Sequence, residues 1–415
     1  MRFALLGDHP DGLDMAHALV ESGRHELAVY AGPQAGADRL DRWGLICRTV
    51  PDAEEVLANP DVDAVIVAGK PAERPDQLRR ALQSERHVLC VQPVDTSPDT
   101  AYEAALIQGD TRQVLLPLLP EGLHPGVRRL AELARSAFGK DRARLVEMER
   151  WSTDQALLEG GARRRKTSLP GWDVLRVLGG EVAEVLAFTS REAIAADEPL
   201  LLMGRFEEGG LFQASFLSGQ QEPRWRLGIV SRLGRADLFF PQGWPGAARL
   251  TWRNEAGEDC TEEYALWNPW PPLVEVFEDA LAQNEGSGVG KFGESHQASE
   301  AQVARHLHSS PLARATPRLT WQDAVRLLEL DDAARRSAEK RRASTLEYQE
   351  ASEEAGFKGL MTLFGCGLLW ASLILVIVSH WLPWAGWLIP PLFGVFLLMQ
   401  LLRWGARKPG GGATV

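Results

Sequence analysis

The sequence predicts an α/β protein: a doubly wound parallel sheet, then an α+β domain with an open, mostly antiparallel sheet, then a C-terminal two-helix transmembrane hairpin. Three observations carry this prediction. Short apolar runs alternate with helical patterns over residues 1–120. From about residue 143, strand-like runs follow one another with only Gly, Pro and acidic breaks between them. Residues 359–402 contain no Asp, Glu, Lys or Arg.

RFALL (2–6) reads as the first strand, followed by GDHPDG and the helical spacing of LDMAHALVESG. ELAVYA is a second strand and ADRLDRWG a helix. DAVIVA (63–68) is a buried strand, PDQLRRALQS a helix, HVLCV (87–91) another strand and DTAYEAALIQ another helix. Strand alternating with helix implies parallel strands joined by right-handed crossovers. The expected result is a Rossmann-like, nucleotide-binding type of domain over 1–120.

RARLVEMERW, AEVLAFTS, PLLLMGRFEE, LFQASFLSG, RWRLGIVS and ADLFF then predict an antiparallel sheet within an α+β domain over 121–345. Trp225, Trp244, Trp252, Trp267 and Trp270 are explained more simply by a sheet face packed on helices or on a second subunit than by a ligand box. Residues 284–318, rich in Gly, Ser, His and Pro, predict a surface excursion. Thr320 is a helix N-cap with Asp323 three residues on, and Val325, Leu327, Leu328 and Leu330 form one broad face.

Residues 346–358 read as a helical linker, 359–404 as a hairpin of two membrane spans and 405–415 as a flexible cytoplasmic tail. A span needs roughly 20 apolar residues, so the uncharged run accommodates two and a turn at SHWLPWAGW. Arg341, Arg342 and Lys358 precede the first span, and Arg403, Arg407 and Lys408 follow the second. The positive-inside rule puts both termini and the soluble body on the cytoplasmic side of the inner membrane. The apolar run of the amino terminus is too short for a signal peptide.

A net charge of −11 argues against a nucleic-acid partner, which needs a basic surface. Cys47, Cys90, Cys260 and Cys366 lie far apart and show no CxxC or Cys/His spacing, so no metal site is expected. The lipid bilayer is the one partner that the composition itself implies.

Four segments, in order, resemble the Gfo/Idh/MocA (glucose–fructose oxidoreductase/inositol dehydrogenase) family: NPDVDAVIVA, ERHVLCVQPV, GWDVLRVLGGEV and WQDAVRLLELDDAARRSAEKRR. The resemblance spans roughly residues 1–345. It implies an NAD(P)-binding domain and a second domain whose open sheet can build a homodimer. It places cofactor-binding positions at Gly7, Asp8, His9, Gly12 and Pro93, and the family's catalytic positions at Gln92, Pro170 and Asp173.

Most of these positions have changed. A dinucleotide fingerprint needs glycines so that backbone can approach the pyrophosphate at a helix N-terminus. GDHPDG keeps Gly7 and Gly12 but has His9 at the middle position, and Pro10 removes an amide donor. The second strand ends in Tyr30, Ala31 and Gly32, with no ribose-binding acid. Gln92 replaces the lysine of the family's Glu-Lys-Pro triplet, and an amide neither titrates near neutral pH nor stabilises an alkoxide by charge. Pro170 stands where the family has histidine, and Lys166 at its earlier aspartate. Asp173 alone survives.

Arg163, Arg164, Arg165 and Lys166 could bind a phosphate or carboxylate, or lie in a solvated loop, or meet anionic headgroups. Three readings follow. The chain is a catalytically degenerate, membrane-anchored binding, sensing or scaffold module with weak or absent NAD(P) binding. Alternatively, it is an active NAD(P)-dependent oxidoreductase on a sugar or polyol-like substrate, using Asp173, His124 or Lys166. In the third, the soluble body regulates a membrane partner of the hairpin.

Overall fold

The computed structural model describes residues 1–111, 113–136, 144–153, 171–189, 199–219, 222–232, 234–253, 257–286 and 319–346. The expected anion loop 163–166, Pro170, the excursion beyond residue 286, the linker beyond residue 346, the hairpin 359–404 and the tail lie outside them, while residues 284–286 of the expected excursion belong to a helix instead. Among the described residues, no helix is long and apolar enough to cross a membrane.

The alternating first part folds as a six-stranded sheet of β1 (Arg2–Leu6), β2 (Glu26–Ala31), β3 (Arg48–Val50), β4 (Ala64–Val67), β5 (His87–Val91) and β6 (Leu115–Leu118). All neighbours are parallel, in the order β3-β2-β1-β4-β5-β6. That is the dinucleotide-binding strand order, whose two halves meet between β1 and β4. Successive residues of β1 face opposite layers. Phe3 and Leu5 pack with α1 (Pro10–Glu21) and α8 (Trp270–Gly286), while Ala4 and Leu6 pack with α4 (Arg74–Gln83), α5 (Asp99–Asp110) and α9 (Trp321–Lys340). Burial on both faces is why these strands read as continuous apolar runs.

The second sheet has nine strands: β7 (Leu145–Thr153), β8 (Val182–Thr189), β9 (Leu200–Phe206), β10 (Leu211–Gly219), β11 (Arg224–Ser231), β12 (Gly234–Phe240), β13 (Ala248–Arg253), β14 (Asp259–Tyr264) and β15 (Ser344–Thr345). The order is β14-β13-β12-β11-β7-β10-β9-β8-β15. It is a mixed sheet, because its central pair β7–β10 is parallel while the others run antiparallel. Its inner face, including Val146, Met148, Phe212, Trp225 and Leu238, packs on α6 (Pro125–Arg135), α7 (Trp172–Gly179) and α9.

Helix α9 joins the two cores. Trp321, Ala324, Val325 and Leu328 pack under the parallel sheet, and Leu327, Leu330, Ala333 and Ala334 under the mixed one. It starts where the sequence places it: the Asp323 carboxylate accepts the Thr320 N–H at 2.7 Å. Arg176 of α7 then donates to Asp323 (3.0 Å) and Glu181 (2.7 Å), so one guanidinium ties α7 to the start of α9. Asp173 of α7 also accepts the Gly122 N–H, so the second domain is tied to the turn after the carboxyl end of β6, the side of an open α/β sheet on which ligands bind.

Candidate functional site

The turn from β1 into α1 keeps the geometry that its glycines predict. Gly7 has φ +98° and donates to Ala31 O at 2.7 Å, and a Cβ there would meet Ala68 O at 2.3 Å. A Cβ on Gly12 would lie 2.2 Å from the Ala68 Cβ. Both glycines therefore let the turn and helix close onto the end of β4. His9 N donates to Ala68 O at 3.0 Å, which completes the seam.

The helix end itself is closed from within. His9 is the N-cap of α1, Pro10 stands at its first position, and the His9 ring accepts the Asp11 N–H on Nδ1 at 3.3 Å. Burial, then the Arg74 guanidinium, pushes the His9 imidazole down to about 4, so near neutral pH the ring is an uncharged acceptor. Asp11 adds a carboxyl group in the first turn. Burial, then Glu121 and Asp14, raises it to about 6, against the pull of Arg74. A pyrophosphate needs free N–H groups and positive potential at this point. Pro10 has no N–H, His9 takes the next one, and Asp11 is negative above its pKa. The residues present do not fit a pyrophosphate held on this helix.

Beside that turn lies a cleft of about 230 Å³ over the ends of β1, β2 and β4. Asp8, Asp52 and Glu73 line it, with Lys70 as the cationic lining residue. The Tyr30 hydroxyl donates to Pro33 O at 2.8 Å and packs over Gly32 and Gly36. Burial, then nearby Asp8, pushes that phenol above its usual range, so it stays protonated.

Gln92 is engaged with its own strand end. Its Oε1 accepts the Val94 N–H at 3.3 Å and its Nε2 donates to Cys90 O at 3.4 Å. The peptide bond to Pro93 is cis. Arg74, only 1% exposed, donates to Gly69 O at 2.8 Å and Pro93 O at 2.7 Å and so bolts the end of β4 to the end of β5. Nothing in PAERPDQLRR distinguishes this arginine from its solvated neighbours Arg79 and Arg80. Its partners become neighbours only in the folded sheet.

Asp173 is 7% exposed and accepts the Gly122 N–H at 3.0 Å, which links α7 to the 3-10 turn Glu121–Leu123 after β6. Burial, then Glu121, pushes it up to about 8. Burial likewise raises the Glu121 carboxyl, against the opposing effect of Arg150. Neither Glu121, in the turn after β6, nor Arg150, inside β7, stands out in the sequence, because a lone charge carries no periodic signal.

His124 does not face the cleft. It is 0% exposed and caps α6, its Nδ1 accepting the Gly126 N–H at 3.0 Å. The rings of Phe240, Trp244, Tyr264 and Trp267 surround it at centroid distances of 5.0, 5.6, 5.8 and 5.0 Å. Burial holds it near 4. Its expected place among rearranged catalytic residues is thus corrected: an enclosed neutral cap cannot meet a substrate. Trp244 and Trp267, which help enclose it, are half-buried loop residues packed against the two hydrophobic cores.

The sequence model described as "Oxidoreductase family, NAD-binding Rossmann fold" (Gfo/Idh/MocA) matches residues 14–115. GenD2 of gentamicin A biosynthesis, a structure in complex with NAD, superposes with a TM-score of 0.60 at 20% identity, covering 84% of this chain and 97% of that one. The fold is that of the Gfo/Idh/MocA oxidoreductases. Inositol 2-dehydrogenase of Mycolicibacterium smegmatis is 40% identical over 57 residues, 14% of this chain and 16% of that protein. D-Xylose 1-dehydrogenase (NADP(+)) 2 of Haloferax volcanii is 29% identical over 141 residues, 34% of this chain and 43% of that protein. The matched segments span less than half the length of these curated relatives. On the Gfo/Idh/MocA fold, Gln92 ends the fifth strand and Asp173 opens α7, and here both serve as backbone ties.

Proposed function

We propose that this chain is a catalytically degenerate Gfo/Idh/MocA-type module, anchored by its C-terminal hairpin to the inner membrane and working there as a binding, sensing or scaffold unit on the cytoplasmic face. The observation that carries this reading is the self-capped start of α1, where His9, Pro10 and Asp11 take the place of free donors. The same His-Pro device caps α6 at His124, which supports reading His9 as a helix cap. Gln92, held by its own backbone, supplies no titrating group.

The test is calorimetric titration of the full chain in detergent with NADH and NADPH. Silence up to millimolar cofactor is expected, and micromolar binding overturns the reading. Truncation before Phe357 should release the protein from membranes, whereas continued pelleting would mean a second anchor.

One observation favours an active NAD(P)-dependent oxidoreductase on a sugar or polyol-like substrate. The buried Asp173 and the half-buried Glu121 act on each other as a carboxyl pair, and Asp173 retains its proton near neutral pH. Such groups are suited to acid–base work. Oxidation or production of NADH with a polyol panel would establish this reading.

A further inference from the structure

Two polar groups on the inner face of the mixed sheet are buried without an acceptor. Arg150 of β7 and Trp225 of β11 stand directly opposite each other in the register. The Arg150 guanidinium carbon lies 5.1 Å from the Trp225 ring centroid. Its NH1 and the Trp225 Nε1 both lack a hydrogen-bond partner among the described residues, and Trp225 is 0% exposed. Leaving a buried donor unmade is costly, and two side by side form a gap that an acceptor would close.

The surroundings restrict that acceptor. Glu121, from the turn after β6, and Asp173, from α7, are the acidic groups that act on Arg150. Asp173 is tied to Gly122 N, which holds the turn and the helix together. Arg176 of α7 also acts on Asp173, but it is engaged with Glu181 and Asp323. Glu121 also acts on Asp11 of α1. Gly171, at φ +91°, brings the start of α7 onto Trp225: a Cβ there would lie 3.1 Å from the indole.

We propose that Arg150 NH1 and Trp225 Nε1 are the two donors of a subsite for a small organic carboxylate, flanked by the Glu121–Asp173 carboxyl pair. A carboxylate offers two acceptors in one plane, which suits one guanidinium arm and one indole N–H. A phosphate dianion would bring a second negative charge that the one available cation does not balance. The proton that Asp173 keeps near neutral pH leaves that side of the pair uncharged toward an incoming anion, so binding should weaken as pH rises through about 8. Arg150 and Trp225 lie on the second sheet, so the subsite forms whether or not the dinucleotide cleft is filled, and it deepens either functional reading.

The probes are D-gluconate and D-glucitol, which share a carbon skeleton and differ in the carboxylate. Titrated into the full chain in detergent, gluconate should bind about tenfold or more tighter than glucitol. Trp225→Phe keeps the stacked ring and removes only the N–H, and Arg150→Gln removes the charge; each should erase most of that preference. Because a variant can also misfold, the decisive second measurement uses the unaltered chain. Gluconate affinity should fall from pH 7 to pH 9, as Asp173 loses its proton, while that of glucitol stays level. Equal affinity for both probes, binding of neither, or a gluconate affinity that does not change from pH 7 to pH 9 would each overturn the proposal.

Discussion

The imidazole of His9 accepts the Asp11 N–H at 3.3 Å, at the helix end where the Gfo/Idh/MocA fold would offer donors to a phosphate. If this cap is what excludes the dinucleotide, opening it should restore affinity. His9→Gly/Pro10→Ala/Asp11→Asn removes the ring, returns an N–H at the first helical position and deletes the opposing charge. Glycine is a tolerable N-cap, so the helix should lose only a few tenths of a kcal/mol, or about 1 kcal/mol at most. NADH affinity, followed by titration of the full chain, should rise about tenfold, the value of one regained charge-assisted hydrogen bond. Unchanged affinity would move the cause to the acids Asp8, Asp52 and Glu73.

Gly12 makes a separate prediction about stability. Since its added Cβ would sit 2.2 Å from the Ala68 Cβ, Gly12→Ala must push α1 away from the end of β4. Overpacking of this kind typically costs about 1–3 kcal/mol. The thermal midpoint should drop accordingly, and Ala68→Gly on the same chain should recover most of the loss. A double-mutant cycle with no coupling would show that helix and strand do not meet here.

What was legible in the sequence follows from the range of each signal. The strands β1, β2, β4 and β5 were readable because burial on both faces leaves uninterrupted apolar runs. Thr320 and Asp323 were readable because a cap is local in sequence. β6 was missed because LLPL carries a proline, which this strand tolerates at the sheet edge. β13 and β14 were missed because their outward residues are charged. The helix Trp270–Gly286 was hidden behind Pro271 and Pro272, which occupy its first turn.

The site was less legible than the fold. The glycines of the β1–α1 turn and the loss of lysine at Gln92 could be read directly. Arg74, Glu121 and Arg150 could not, because each acquires its meaning from groups on other elements. His124 misled because His-Pro-Gly looks like a loop. GDHPDG and GLHPGV are in fact the same device, a histidine cap followed by proline at the first helical position.

The outer face of the mixed sheet bears on self-association. Phe188, Met203 and Leu211 are 50%, 44% and 56% exposed on β8, β9 and β10, while β7, β11 and β12 carry ion pairs such as Arg226–Asp237 and Arg235–Glu147. An apolar strip beside a charged lattice suits an isologous homodimer, in which the strip meets its own copy. Phe188→Glu/Met203→Glu should convert a dimer into a monomer in light scattering of the detergent-solubilised chain. An unchanged mass would exclude this strip as the interface.

The last prediction concerns the proton on Asp173. Its folded pKa, about 8, lies above the unfolded value of 3.8. Folding therefore binds a proton between those values, and stability is greatest below the lower one and falls as pH rises toward the upper. The slope for one such group is at most about 1.4 kcal/mol per pH unit. Asp11, raised to about 6, acts in the same direction over a narrower window. His9 and His124, each lowered from 6.5 to about 4, act in the opposite direction below 6.5, so pH 6.5 to 8 leaves Asp173 and its neighbour Glu121. Asp173→Asn retains an oxygen for the Gly122 N–H but carries no charge. Thermal midpoints of the unaltered chain should fall from pH 6.5 to 8, while those of Asp173→Asn should change much less, leaving the variant the more stable at pH 8. Parallel curves would place the proton elsewhere, with Glu121 the next group to replace.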